Sequence, residues 1–316
     1  MTLFNITRDG GAEITAALGL ISSRVDFELW KPILPLGMRD VAAITGTETL
    51  EELARFYAGD AAPETAENPL APEALRYLQQ AVALFSWLKI IPTLDAHHDE
   101  NGRRALRGEN EAALTALEQY KDEANIRHLA FEAVDALIET LDRAQFPFWT
   151  QSRKYRLRRG LLIRDKETFD EYYTTGSHRL FLTLLPMIRE VQQATVAPLM
   201  GRDLLARLLD GDAEIEDRTG DTARRAIALL TMKKAVERLP VEVLPDGVVQ
   251  VNQSSPVNQK LRAEKEARAA VAAALDEDAA RYLRQLSDAV AEIRAEGAVV
   301  DFFVPGPIVH SKGISF

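Results

Sequence analysis

The sequence predicts an all-α fold: two tandem repeats of a small helical bundle, each with a β-hairpin-like loop between its last two main helices. Three observations predict it. The chain matches itself in ordered blocks, apolar residues recur at helical spacing, and turn residues punctuate both halves at corresponding places. Laid on Leu184 without gaps, Leu29 brings Ile33 onto Ile188, Leu36 onto Val191, Val41 onto Val196 and Ile44 onto Leu199. Gly46 then meets Gly201, Leu50 meets Leu205, Leu53 meets Leu208, and Gly59-Asp60 finds its counterpart in Gly211-Asp212. A second block lays Ala81-Val82-Ala83-Leu84-Phe85-Ser86-Trp87 on Ala226-Ile227-Ala228-Leu229-Leu230-Thr231-Met232, and carries Lys89 onto Lys234 and Asn101-Gly102 onto Asp246-Gly247. A third, looser block places Val134, Leu137 and Leu141 on Leu283, Leu286 and Val290. Unrelated amphipathic helices share a period but not this punctuation. The expected boundaries are a first repeat over 1–146, a junction with a basic stretch over 147–165, a second repeat over 166–298 and an apolar tail over 299–316.

Taken in order, short helices are expected at Ala12–Leu20, Phe27–Val41 and Thr47–Tyr57. A clear helix follows from about Pro72 to Ile91: proline suits the first turn, Glu73 suits the positive end of the dipole, and Leu75, Leu78, Val82, Phe85 and Leu88 form one stripe. A longer helix from about Glu109 to Arg143 carries the stripe Tyr120, Ala124, Phe131, Val134, Ile138 and Leu141. In the second half, helices are expected at Lys166–Tyr173 and Arg179–Ala194, with Ser177 capping the latter. A long one runs over Gln259–Glu296, with the stripe Ala269, Ala273, Ala280, Leu283, Leu286 and Val290 and a stop at Gly297. Two places read as strand. Val241, Val243 and Val249 flank Pro245-Asp246-Gly247, and Tyr155-Arg156-Leu157-Arg158 alternates apolar and basic residues.

Composition narrows the function classes. The 316 residues carry a formal charge of −10. That argues against a general nucleic-acid binder and suits a surface that repels DNA. There is no cysteine, so disulfides and thiolate metal sites are excluded. Met1 to Gly10 lacks the basic and apolar regions of a signal peptide, and the apolar runs are too short and charge-broken to span a membrane. A soluble, cytoplasmic product without membrane association is expected.

No catalytic constellation is recognisable, and no enzyme activity, cofactor or metal is expected. His97-His98-Asp99-Glu100 is the nearest thing to a metal cluster, yet adjacent residues on an extended segment point to opposite sides, and a solvated turn explains them better. No glycine-rich phosphate loop and no GxSxG elbow occur. Ser177 and His178 are neighbours in sequence, which is not how a nucleophile meets its base.

Three stretches stand out as contact surfaces instead. Arg153, Lys154, Arg156, Arg158, Arg159 and Arg164 lie in a stretch free of acids; they suit DNA phosphates or an acidic partner, and equally a solvated segment between acidic domains. The hairpin residues Val241, Val243, Pro245, Asp246, Gly247 and Val249 offer strand edges to a neighbour. In the tail, Val300, Phe302, Phe303, Val304, Pro305, Pro307 and Ile308 are apolar without helical period, which fits a groove on another subunit better than a core.

Several of these stretches carry a family resemblance. Pro32-Ile33, Ile44-Thr45-Gly46, the Arg76-to-Trp87 helix, Phe146-Pro147-Phe148-Trp149, Ser177-His178-Arg179-Leu180-Phe181, Pro198-Leu199-Met200-Gly201 and Val241-Glu242-Val243 together resemble the head–tail connector (portal adaptor) proteins of tailed phages. The chain looks most like a double-length, tandem-repeat family of phage and prophage neck proteins. The resemblance implies a non-enzymatic virion protein assembled in the host cytoplasm. It implies a homo-oligomeric ring between the portal protein and the next neck or tail protein, with DNA passing through without sequence-specific binding. Ala43, where the second copy has Pro198, departs from the usual form before the glycine, so the copies need not make equivalent contacts. Two other classes remain: a cytoplasmic helical scaffold that binds one protein partner, and an enzyme whose paired carboxylates meet between the copies.

Overall fold

The computed structural model describes residues 2–5, 9–19, 26–94, 96–99, 102–105, 115–239 and 257–297. The chain is all-helical in these segments apart from one two-stranded ribbon. Leu3 and Phe4 are buried ahead of α1 (Gly10–Leu18), whose first turn is capped by the Asp9 carboxylate accepting from the Gly11 amide. Then come α2 (Phe27–Trp30), α3 (Leu34–Thr45), α4 (Thr47–Ala58), α5 (Pro63–Ala66) and the long α6 (Ala71–Leu94). β1 (Ala96–Asp99) pairs antiparallel with β2 (Gly102–Ala105), His97 opposite Arg104 and His98 opposite Arg103. α7 (Ala116–Ala144) opens with a capping box between Thr115 and Glu118.

The chain continues through α8 (Pro147–Thr150), α9 (Arg153–Arg156) and α10 (Lys166–Asp170) to α11 (His178–Val191). A π-helical turn at Gln192–Val196 leads into α12 (Ala197–Leu209). α13 (Ala213–Ile215) and a second π-turn at Glu216–Gly220 precede α14 (Asp221–Arg238), and α15 (Val257–Gly297) is the last element. α6 packs on α3 and α7, and α14 packs on α11 and α15. One continuous apolar core runs through both halves. Trp30 stacks on Trp87 at 5.6 Å, Phe85 meets Phe131 edge-on, and buried alanines such as Ala81 and Ala226 let neighbouring helices approach closely.

Several local geometries recur. Gly46 (φ 101, ψ 155) separates α3 from α4, and Gly201 (φ 77, ψ 166) breaks α12; both lie in a region that only glycine occupies without strain. α4 ends at left-handed Gly59, with the Asp60 amide donating to the Arg55 carbonyl at 2.9 Å. α12 ends at Gly211, with Asp212 donating to Arg207 at 3.0 Å, which is the same Schellman closure. Gln79 donates to the Leu3 carbonyl, and Arg224 to the Leu162 carbonyl.

The structure corrects four expectations. The helix expected over Phe27–Val41 is two helices parted at Lys31-Pro32-Ile33. Tyr120, expected on the apolar stripe of α7, is exposed; the buried stripe starts at Ile126. In α15 the buried alanines are Ala272 and Ala279 with Leu275, while Ala269 and Ala273 face outward. Tyr155-Arg156-Leu157-Arg158 is not strand. It forms α9 and the following turn, because the Ser152 hydroxyl caps the Tyr155 amide at 3.1 Å. Hairpin residues Val241, Val243, Pro245, Asp246, Gly247 and Val249, and tail residues Val300, Phe302, Phe303, Val304, Pro305, Pro307 and Ile308, lie outside the described residues.

Candidate contact site at the junction

The basic stretch is divided by the fold. Arg158 turns inward, where its guanidinium meets both oxygens of Asp142 at 3.0 Å, and the Trp149 indole donates to the same carboxylate at 2.6 Å. Tyr155 lies under the guanidinium at 5.0 Å from its centroid, and Phe181 at 5.7 Å. The arrangement follows from burial: a cation this enclosed must be paired, and arginine's planar fork matches a carboxylate. Arg164 is also occupied, donating to the Leu161 carbonyl and to the Leu209 carbonyl at the end of α12. Arg153, Arg156 and Arg159 remain exposed and Lys154 half-exposed. Among the described residues these four have no carboxylate within ion-pair distance.

The second half holds the junction backbone. The buried Gln192 amide accepts from Leu162 N at 2.8 Å and donates to Gly160 O at 2.7 Å. Arg189 donates to Leu157 O, and Arg224, which also pairs with Glu216, donates to Leu162 O. From the first half, Asp135 of α7 takes hydrogen bonds from the Ser177 hydroxyl and the Arg179 amide, so it serves the N-terminal end of α11. Ser177 is itself the helix cap, accepting from Leu180 N at 3.1 Å.

A cleft of about 860 Å³ opens where α7, the junction and α10–α11 meet. Its walls carry Glu139, Asp142, Asp165 and Glu167 against Arg143, Arg158, Arg159 and Arg164, with Tyr155 and His178 between. His178 Nε2 lies 3.7 Å from Glu167. Charges of both signs balance across the walls, so the cleft favours neither a simple anion nor a simple cation. Nearby, burial works against the Lys166 ammonium, but its hydrogen bond and attraction to Asp170 win, and the pKa of Lys166 is raised. Burial likewise opposes the Asp170 carboxylate, yet Lys166 and the Thr175 amide and hydroxyl hold its pKa below the usual carboxylate range. Burial pushes the Arg179 guanidinium down, where it lies 4.0 Å over Phe131. Among the described residues, no group of three or more His, Asp or Glu side chains is placed to hold a metal ion, and no helix is long and apolar enough to cross a membrane.

Sequence reasoning identified the basic stretch and the Ser177 cap but missed Asp135, Asp142 and Gln192, the side chains that build the site. Each is a lone polar residue among many on a helix, and only the three-dimensional neighbours distinguish it. No curated protein and no solved structure matches the chain. A family described as of unknown function, DUF6712, matches residues 41–159 and 193–295. With the greater part of its length matched, including the Asp142–Arg158 pair, the chain belongs to the DUF6712 family.

Proposed function

We propose that this chain is a non-enzymatic virion structural protein: a head–tail connector that forms a ring between portal and tail around the DNA channel. The resemblance in sequence suggests the setting, and the geometry supports a duplicated structural unit. The observation that carries the reading is the recurrence of geometry at positions the internal match pairs. Gly46 and Gly201 break the chain in the same conformation, Gly59 and Gly211 close their helices by the same bond, and the matched Lys89 and Lys234 each pair with a carboxylate on an earlier helix, Asp40 of α3 and Glu190 of α11. The paired Ser86 and Thr231 are both buried hydroxyls without a hydrogen-bond partner among the described residues. On this reading the repeats are tandem copies, the first over 1–146 and the second over 166–298.

In such a ring the net negative charge keeps DNA from adhering, while Arg153, Lys154, Arg156 and Arg159 meet an acidic neighbour or DNA phosphates. The ring partners would be portal protein on one side and the next neck or tail protein on the other, in a virion assembled in the host cytoplasm. The test is the solution mass of the purified chain, alone and mixed with the portal protein encoded nearest its gene. A discrete ring-sized species in either condition supports the reading. A monomer that ignores the portal overturns it in favour of a cytoplasmic scaffold.

A further inference from the structure

The fold turns the basic stretch into an ordered row. The Arg156 amide donates to the Ser152 carbonyl, that of Arg158 to Tyr155 and that of Arg159 to Arg156, so α9 runs on through two tight turns. Positions three apart stay on one side of such a run. Arg153, Arg156 and Arg159 occupy that side, and all three are exposed. Tyr155 and Arg158 occupy the other. The Tyr155 hydroxyl donates to the Gln145 side chain at 3.2 Å, and the Arg158 guanidinium is locked on Asp142.

The backbone under the row is held along its length. The Ser152 hydroxyl caps its start, Arg189 donates to the Leu157 carbonyl, and Gln192 donates to the Gly160 carbonyl. The three arginines are therefore presented in advance, and little backbone ordering is left for a partner to impose. Successive members rise by about 5 Å along the run. One strand of duplex DNA offers a phosphate every ~3.4 Å of helix axis, so long arginine side chains at this spacing reach separate phosphates.

Two observations select the occupant. Residues 146–164 contain no acid, and the nearby Asp142 is taken by Arg158, so the charge of the row is left for a partner to neutralise. The large apolar side chains exposed among the described residues are Leu29, Leu36, Leu94, Tyr120 and Leu129, and none lies on the junction. A protein partner anchors on buried aromatic and apolar side chains, whereas a nucleic-acid interface is polar and strongly positive. We propose that Arg153, Arg156 and Arg159 form a track for the phosphate backbone of double-stranded DNA, flanked by Lys154. One turn of helix is too short to read a groove, so the contact carries no sequence preference. The formal charge of −10 on the whole chain keeps it weak and salt-sensitive. This inference rests on the connector reading for its setting, which puts DNA beside the chain.

The probe is a short fluorescein-labelled duplex of mixed sequence, titrated with the purified chain and followed by anisotropy. Two duplexes of unrelated sequence should bind alike in low salt. Affinity should fall as salt rises with a log–log slope of roughly 3, about one for each phosphate met. Arg153→Gln, Arg156→Gln and Arg159→Gln should each reduce that slope by about 1. The triple variant should keep its helical circular dichroism and bind about tenfold more weakly or worse. Arg127→Gln, at an exposed position on α7, should change nothing. No binding in low salt, a triple variant that binds like the unmodified chain, or an equal loss with Arg127→Gln would each overturn the proposal. Tighter binding of a labelled oligoglutamate than of the duplex, lost in the triple variant, would assign the row to an acidic protein and also overturn it. None of these readouts needs portal protein. Duplex binding by a chain that forms no ring fails the connector reading alone, and a ring whose chains ignore the duplex fails this one alone.

Discussion

Asp142 and Arg158, sixteen residues apart, close a two-pronged ion pair that ties the end of α7 to the turn after α9. Arg158 is the more enclosed partner, with its side chain 8% exposed against 22% for Asp142. Removing either partner strands the other away from water, so Asp142→Ala and Arg158→Ala should each lower stability by about 3 kcal/mol. The double variant should cost no more than the worse single. Arg158→Lys should recover only part of the loss, because an ammonium cannot reproduce the fork. Urea denaturation of the four proteins measures all of this, and additive single losses would show that the two side chains are not a unit.

The two chain breaks make a matched prediction. Gly46→Ala and Gly201→Ala both force a Cβ into a backbone conformation that costs on the order of 1–3 kcal/mol. The neighbours add little: an added Cβ would meet only the tips of Glu48 and Arg294, which can swing away. Thermal denaturation should show similar drops for both. A drop at one glycine alone would mean that the two breaks carry different loads.

Helix existence was readable from the sequence, helix phase less so. The α6 stripe and its early proline are unambiguous because large apolar residues recur against a polar background. In the first half of α15, alanines occupy every face, so spacing alone could not choose Ala272 over Ala273. Tyr120 was misplaced for another reason: it fits the period of α7 but is exposed, and period says nothing about a partner's reach. Arg158 read as a surface cation because its partner Asp142 lies sixteen residues before it and the Phe181 ring beside it lies farther still. What the sequence did expose was the punctuation, since Gly46, Gly201, Gly59 and Gly211 are set by backbone conformation alone.

Ser86 and Thr231 are buried hydroxyls without hydrogen-bond partners among the described residues. An unpaired buried hydroxyl lowers stability, so Ser86→Ala and Thr231→Val should be neutral or stabilising by about 1 kcal/mol. A loss in either variant, read by chemical denaturation, would point to a hydrogen bond made in solution.

Acid should weaken one surface network in a defined window. Hydrogen bonds from Arg238 and then Lys234 hold the Glu190 carboxyl down to about 2, from an ordinary 4.5. Because the folded value is depressed, its contribution is complete above the unfolded value and disappears as pH falls from 4.5 toward 2. The group is at the surface, so the effect is modest and should shrink in high salt. Glu190→Gln should remove that part of the acid-induced fall in Tm and leave the rest of the profile in place. A profile identical to the unmodified protein's would exclude the network as a contributor.

The grip of Gln192, Arg189 and Arg224 on the carbonyls and amide of the 157–162 backbone has a calorimetric consequence. Unfolding the second half first would strip these partners from the junction, and unfolding the first half first would take Asp135 of α7 away from the start of α11. Neither half has a partly melted state without a large penalty. Heat should therefore be absorbed in one peak, with calorimetric and van't Hoff enthalpies in agreement, and a chain cut at Gly160 should yield two fragments that fold only when mixed.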